Sequence, residues 1–158
     1  MMQSVTMIPI GTVRSTRTVA EDDDWDSVAS SIELDAEQFT GEAFAGLDTF
    51  SHVEVVYLFD RVDADKIETG ARHPRNNVAW PKVGIFAQRG KNRPNRIGTT
   101  VCRIDRIDGL RVHVTGLDAI DGTPVLDLKP WVCEFGPRGE VRQPVWMDKL
   151  MRGYWSAR

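Results

Sequence analysis

An Asp-Gly pair, Asp108-Gly109, separates two runs rich in β-branched and apolar residues, 97–107 and 110–117. That is the strongest short-range hairpin signal a chain can carry, because a type I′ turn needs positive φ at both central residues. In the returning run Leu110, Val112 and Val114 point one way, and Arg111, His113 and Thr115 the other. His113 is thereby read as a solvent-facing strand residue. The rest of the chain repeats the theme. Short runs at 7–13 (MIPIGTV), 30–34, 52–59 (HVEVVYLF), 83–87 (VGIFA) and 125–129 read as strands. The run 52–59, apolar almost throughout, reads as central or buried on both faces. Between them lie an acidic loop at 22–26, a brief helical turn at 42–47, a polar stretch at 62–69, an irregular loop at 72–82 with two prolines, and a turn at 118–124. Met147, Leu150, Met151 and Tyr154 share one helical face, so the tail from Val145 reads as a short helix packed on the barrel or on a partner subunit.

These elements sum to an all-β fold: a small single-sheeted β-barrel of about seven strands, with short helical turns and a short C-terminal helix. One domain is expected over residues 1–158, long enough to bury a core. Closure removes the exposed edges that so small a sheet would otherwise present. No apolar run approaches the length that spans a membrane. The opening MMQSVTMIPIGTV has no basic segment followed by an apolar one, so no secretion signal is expected. Cys102 and Cys133 form no CxxC pair and no disulfide framework, which points to reduced thiols and a cytoplasmic location, with Cys102 in the core. His52, His73 and His113 lack the tight spacing of a zinc site, so no metal is expected.

The net charge of −3 hides an uneven distribution. Residues 21–37 carry acids and no Lys or Arg, whereas 72–96 carry Arg72, Arg75, Lys82, Arg89, Lys91, Arg93 and Arg96 and no acid. A balance this acidic argues against coating nucleic acid indiscriminately, yet the basic segment permits one focused anionic contact. Equally, the two segments can neutralise each other on the folded surface.

There is no GxSxG, HExxH, Walker loop or strand-borne GxGxxG, which excludes the commoner hydrolase, metalloprotease and nucleotide-binding arrangements. Three polar constellations remain. One is the basic loop 86–99 (FAQRGKNRPNRIGT). By composition it is a solvated connection; by position, held between strands, it is where a scaffold carries chemistry. The second is the turn Asp121-Gly122-Thr123-Pro124 followed by Asp127, Lys129 and Pro130. The third is the strand end Phe59-Asp60-Arg61. All three can gather at one mouth of the barrel.

The strings IGTVRS (10–15), FSHVEVVYLF (50–59), GIFAQRGKNRPNRIG (84–98) and DGTPVLDLKPW (121–131) resemble the TsaA-like family. Its best-known branch, TrmO, is an S-adenosylmethionine-dependent tRNA methyltransferase. The resemblance runs from about residue 8 to 131, in the family's order. It implies a small β-barrel that binds S-adenosylmethionine at a homodimer interface. The implied cofactor-binding positions are Asp60 and Arg61, then Arg89, Arg93, Asn95 and Thr99, then Asp121, Gly122, Thr123 and Pro124. The chain departs from the family in four places. Asp60-Arg61 stands where His-Gln is usual, and Arg96 where Pro is usual. The PRQ segment after the first strand is not recognisable, and the additional C-terminal domain of longer members is missing. These departures bear on the acceptor more than on the cofactor. A tRNA acceptor, N6-threonylcarbamoyladenosine, with Trp80 for stacking and the basic segment on the phosphates, therefore stands beside a small-molecule acceptor. A non-catalytic S-adenosylmethionine-binding module is the third reading. Arg89 suits the cofactor's carboxylate as a paired donor. No residue stands out as a general base; Asp121 and Asp127 are the carboxylates to examine.

Overall fold

The computed structural model describes residues 1–156. Six strands close a barrel: β1 (Gly11–Ser15), β2 (Ser30–Leu34), β3 (His52–Leu58), β6 (Ile97–Asp108), β7 (Arg111–Thr115) and β8 (Pro124–Pro130). Their order around it is β1-β2-β7-β6-β3-β8, with every pairing antiparallel. Two short strands, β4 (Ala71–Arg72) and β5 (Val83–Gly84), pair outside it. The helix α1 (Val145–Leu150) follows near the C-terminus.

Side chains of alternating position fill the interior. Val13, Ile32, Val53, Val55, Tyr57, Cys102, Val112, Val114, Leu117 and Val125 are almost wholly shielded from solvent, which is the period-two pattern of a strand with one face inward. The same alternation corrects the reading of 52–59. Val53, Val55 and Tyr57 point in, while His52, Glu54, Val56 and Leu58 are half-buried on the outer face.

The barrel closes where β1 meets β8, through Gly11 opposite Val125 and Thr12 opposite Pro124. Glycine is required at this seam. A Cβ on Gly11 would stand 2.3 Å from the carbonyl oxygen of Glu33 on β2, a backbone atom that cannot rotate away.

Further expectations about elements are corrected. The hairpin turn holds Gly109-Leu110, with Asp108 already paired to Arg111. Only Gly109 takes positive φ (58°), the requirement of a type II′ turn and not of type I′. Nor does the run 83–87 stay in the sheet. It gives two residues of β5 and then a 3-10 turn at Ile85–Ala87, which buries Ile85 and leaves Phe86 80% exposed. The barrel therefore has six strands. The stretch 72–82, expected to be irregular, starts in β4 and contains a 3-10 turn at Pro74–Asn76.

Candidate functional site

A cavity of about 1060 Å³ opens at the end of the barrel where β3 stops and β6 starts. Its walls come from Tyr57–Val62, Arg72–Arg75, the loop from Ile85 to Arg93, the first residues of β6 to Val101, Asp118–Ile120 with Thr123, and Ala20–Trp25 with the C-terminal tail. Met147 and Leu150 of α1 line it, as do Met151 and Tyr154, which the spacing put on the same helical face but which lie beyond the helix end.

The basic loop is braced from within. Gln88 donates through Nε2 to the carbonyls of Arg72 and Val83, each at 3.0 Å. Arg93 Nη1 donates to the Gln88 carbonyl at 2.7 Å, and Arg89 Nη2 to the Thr99 carbonyl at 2.8 Å. Arg96 donates to the Val62 carbonyl at 2.8 Å and returns its own carbonyl to the Phe59 N–H. Each guanidinium spends one arm on a backbone carbonyl and keeps its charge uncompensated. Among the described residues Arg72, Arg89, Lys91 and Arg93 line the cavity without a carboxylate partner.

The acidic stretch is partly neutralised by the basic one. Arg75 pairs with Asp23 at 3.1 Å and Asp22 at 3.9 Å. Arg17 lies 4.4 Å over the Trp25 ring and donates to the carbonyls of Asp23 and Asp24. The stretch is zipped to the tail by N–H groups of Asp24, Trp25 and Asp26, which donate to carbonyls of Gly153, Tyr154 and Trp155. The tail thus packs on its own barrel. Trp25, a wall residue 4% exposed, has the only buried side-chain polar atom without a partner among the described residues, its indole N–H.

The connection after β7 brings to the cavity a carboxylate that the sequence did not single out. Asp118 Oδ1 accepts from the Tyr57 hydroxyl at 3.0 Å and from the Thr100 hydroxyl; its Oδ2 accepts from the Tyr154 hydroxyl. It forms no ion pair among the described residues. Burial first, and the adjacent carboxylate second, push the Tyr57 and Tyr154 phenols upward, so both remain donors. The Cys102 thiol is pushed up by the same two causes.

Of the expected site residues, Asp60, Arg61, Arg89, Arg93, Thr99 and Thr123 border this one cavity. Asn95, Asp121, Gly122 and Pro124 do not. Asn95 takes φ of 60° at the back of the loop. Asp121 is engaged structurally: its Oδ1 accepts from the Ser15 N–H at 3.0 Å, and Gly122, at φ of 84°, donates its N–H to the Val13 carbonyl. Arg61 clamps that corner, donating to the carbonyls of Thr18 and Asp121 at 3.3 and 3.0 Å. Asp127 lies outside the cavity, paired with Lys129 at 2.9 Å. Trp80 is half-buried and lines no part of the cavity. Among the described residues no group of three or more His, Cys, Asp or Glu is placed to hold a metal ion, and no helix is long and apolar enough to cross a membrane.

Residues 18–136 match the tRNA-methyltransferase O N-terminal domain family. A tRNA (adenine(37)-N6)-methyltransferase of Homo sapiens is 36% identical over 100 residues, 63% of this chain and 22% of that protein. A probable S-adenosyl-L-methionine-binding protein of Pyrococcus abyssi is 35% identical over 134 residues, 84% of this chain and 70% of that protein. The crystal structure of TrmO from Pseudomonas aeruginosa superimposes with a TM-score of 0.74 at 27% identity, covering 92% of this chain and 63% of the other. The chain thus spans about a fifth of the human relative and under two thirds of the crystallised one.

Proposed function

The chain belongs to the tRNA-methyltransferase O N-terminal domain family, and from that premise we propose that its cavity binds S-adenosylmethionine and acts as a methyltransferase site. The observation that carries this reading is that charges of both signs line one cavity. Uncompensated guanidinium groups stand on the loop side, and the unpaired Asp118 carboxylate stands on the wall between Tyr57 and Tyr154. A ligand with a carboxylate at one end and a cation further along fits that arrangement. The volume of about 1060 Å³ leaves room for a second reactant beside it.

Bound there, S-adenosylmethionine supplies an already activated methyl group for in-line displacement. The task left to the protein is alignment and exclusion of water. Arg89, steadied by Thr99, is placed to receive the ligand's carboxylate. The half-buried ring of Phe59 offers flat apolar surface. The tail residues Trp146 and Met151 add apolar lining. For the acceptor, tRNA follows from the relatives' activity, with Arg72 and Lys91 toward the phosphates. A small-molecule acceptor is favoured by the chain's net charge of −3, which opposes a polyanion.

Titration calorimetry with S-adenosylmethionine tests the reading. Binding is expected, weakened about tenfold or more in Arg89→Ala, the usual worth of a charge-assisted hydrogen bond. Absence of binding at millimolar ligand refutes it. Labelled donor offered with bulk tRNA and with a metabolite extract then separates the two acceptors.

A further inference from the structure

Asp118 combines three properties that rarely occur together. It lines a cavity, it has no cationic partner among the described residues, and three of its four lone-pair sites are already taken by hydroxyl donors from Tyr57, Thr100 and Tyr154. The donors come from β3, β6 and the C-terminal tail, so the carboxylate is fixed from three directions. The raised Tyr57 and Tyr154 phenols keep all the shell's protons on the shell.

Such a carboxylate has little capacity left to accept further hydrogen bonds. An ammonium ion brings three N–H donors that need acceptors. A sulfonium ion brings none; it asks only for negative potential and polarisable surroundings. We propose that Asp118, within its hydroxyl shell, is the seat of a sulfonium charge, and that it distinguishes the charged methyl donor from the neutral thioether left after transfer. This rests on the methyl-donor reading of the cavity and adds to it the residue that reads the donor's charge. Release of product follows from the same geometry: once the methyl group has left, the sulfur is neutral and the carboxylate no longer attracts it.

The test measures affinity, not turnover. S-adenosylmethionine and S-adenosylhomocysteine are titrated into the wild-type protein and into Asp118→Asn, with thermal melting as the control for folding. The wild type is expected to bind the sulfonium ligand about tenfold or more tighter than the thioether. In Asp118→Asn that preference is expected to fall to near parity, mainly through loss of S-adenosylmethionine affinity. An unchanged ratio in the folded variant overturns the proposal. So does equal weakening of both ligands, the signature of a purely structural role. Should the variant fail to fold, the wild-type ratio decides: a protein that binds the thioether as tightly as the sulfonium overturns it. If the wild type binds neither ligand, the methyl-donor reading itself has failed. Binding of both without a charge preference removes only the role of Asp118.

Discussion

Replacing Gly98 by alanine tests how tightly the cavity wall is set. Gly98 on β6 lies opposite Tyr57 on β3. A Cβ there would stand 2.6 and 2.7 Å from two Tyr57 ring carbons and 2.9 Å from a Phe59 ring carbon. Carbon pairs rest at about 3.5–4.0 Å, so both rings must retreat by roughly 1 Å. They have little room to do so. Tyr57 is 2% exposed, and the two rings are locked edge-to-face with centroids 5.3 Å apart. The retreat also carries the Tyr57 hydroxyl away from Asp118 Oδ1, now at 3.0 Å. Overpacking costs about 1–3 kcal/mol. A hydrogen bond to a charged group adds about 1.5–3 kcal/mol. Restricting the unfolded chain returns about 0.4–1 kcal/mol. The expected net loss is about 2–5 kcal/mol, or a melting temperature lower by on the order of 10 °C at this chain length. Urea unfolding followed by circular dichroism gives the value. Gly90→Ala is the matched control, because nothing lies within 4 Å of its added Cβ and its φ is not positive. It should change stability by less than about 0.5 kcal/mol. If Gly98→Ala melts with the wild type, the wall around Tyr57 is not packed as described.

Two further outcomes are expected. In native protein near pH 8 a thiol reagent should titrate the exposed Cys133 and spare Cys102, which is 1% exposed and whose thiol is pushed upward by burial and by Asp118. A raised thiol holds its proton until the pH climbs past its shifted value, so Cys102 reacts only in denaturant; two fast native thiols would contradict the burial. Arg61→Ala should speed amide exchange at Gly122 by releasing the clamp on the Asp121 and Thr18 carbonyls, while weakening S-adenosylmethionine less than Arg89→Ala does. The reverse ranking of affinities would make Arg61 a direct ligand contact.

Most of the barrel was legible because its strands are local: 30–34 and the long hairpin arms carry their own alternation and turn chemistry. What failed was long-range or one residue wide. The hairpin turn shifted from Asp108-Gly109 to Gly109-Leu110 because Asp108 gained a ladder partner in Arg111, and a two-residue loop tolerates either frame when only one central φ need be positive. The 83–87 run left the barrel because β3 already has β6 on one side and β8 on the other, which leaves no edge to join. On the site, the resemblance brought six residues to one cavity, whereas Asp121 proved to be an anchor for the Ser15 N–H.

Asp118 escaped for a reason that can be turned into a rule. Its donors lie 61, 18 and 36 residues away in sequence, so no spacing motif links them. A signal was nonetheless present. On β3 the inward positions read Val53, Val55, Tyr57, and on β6 Gly98, Thr100, Cys102. Two hydroxyl-bearing residues at inward positions of neighbouring strands require a buried acceptor, because an unsatisfied hydroxyl in such a place costs about 1–3 kcal/mol. Searching the turn that follows the hairpin for an acceptor reaches Leu117-Asp118 before it reaches the Asp121 corner. The aspartate answering that requirement is a site candidate wherever it also faces a cavity. A purely structural partner for two hydroxyls need not be charged, and a charged one left without a cation keeps its potential for whatever enters beside it.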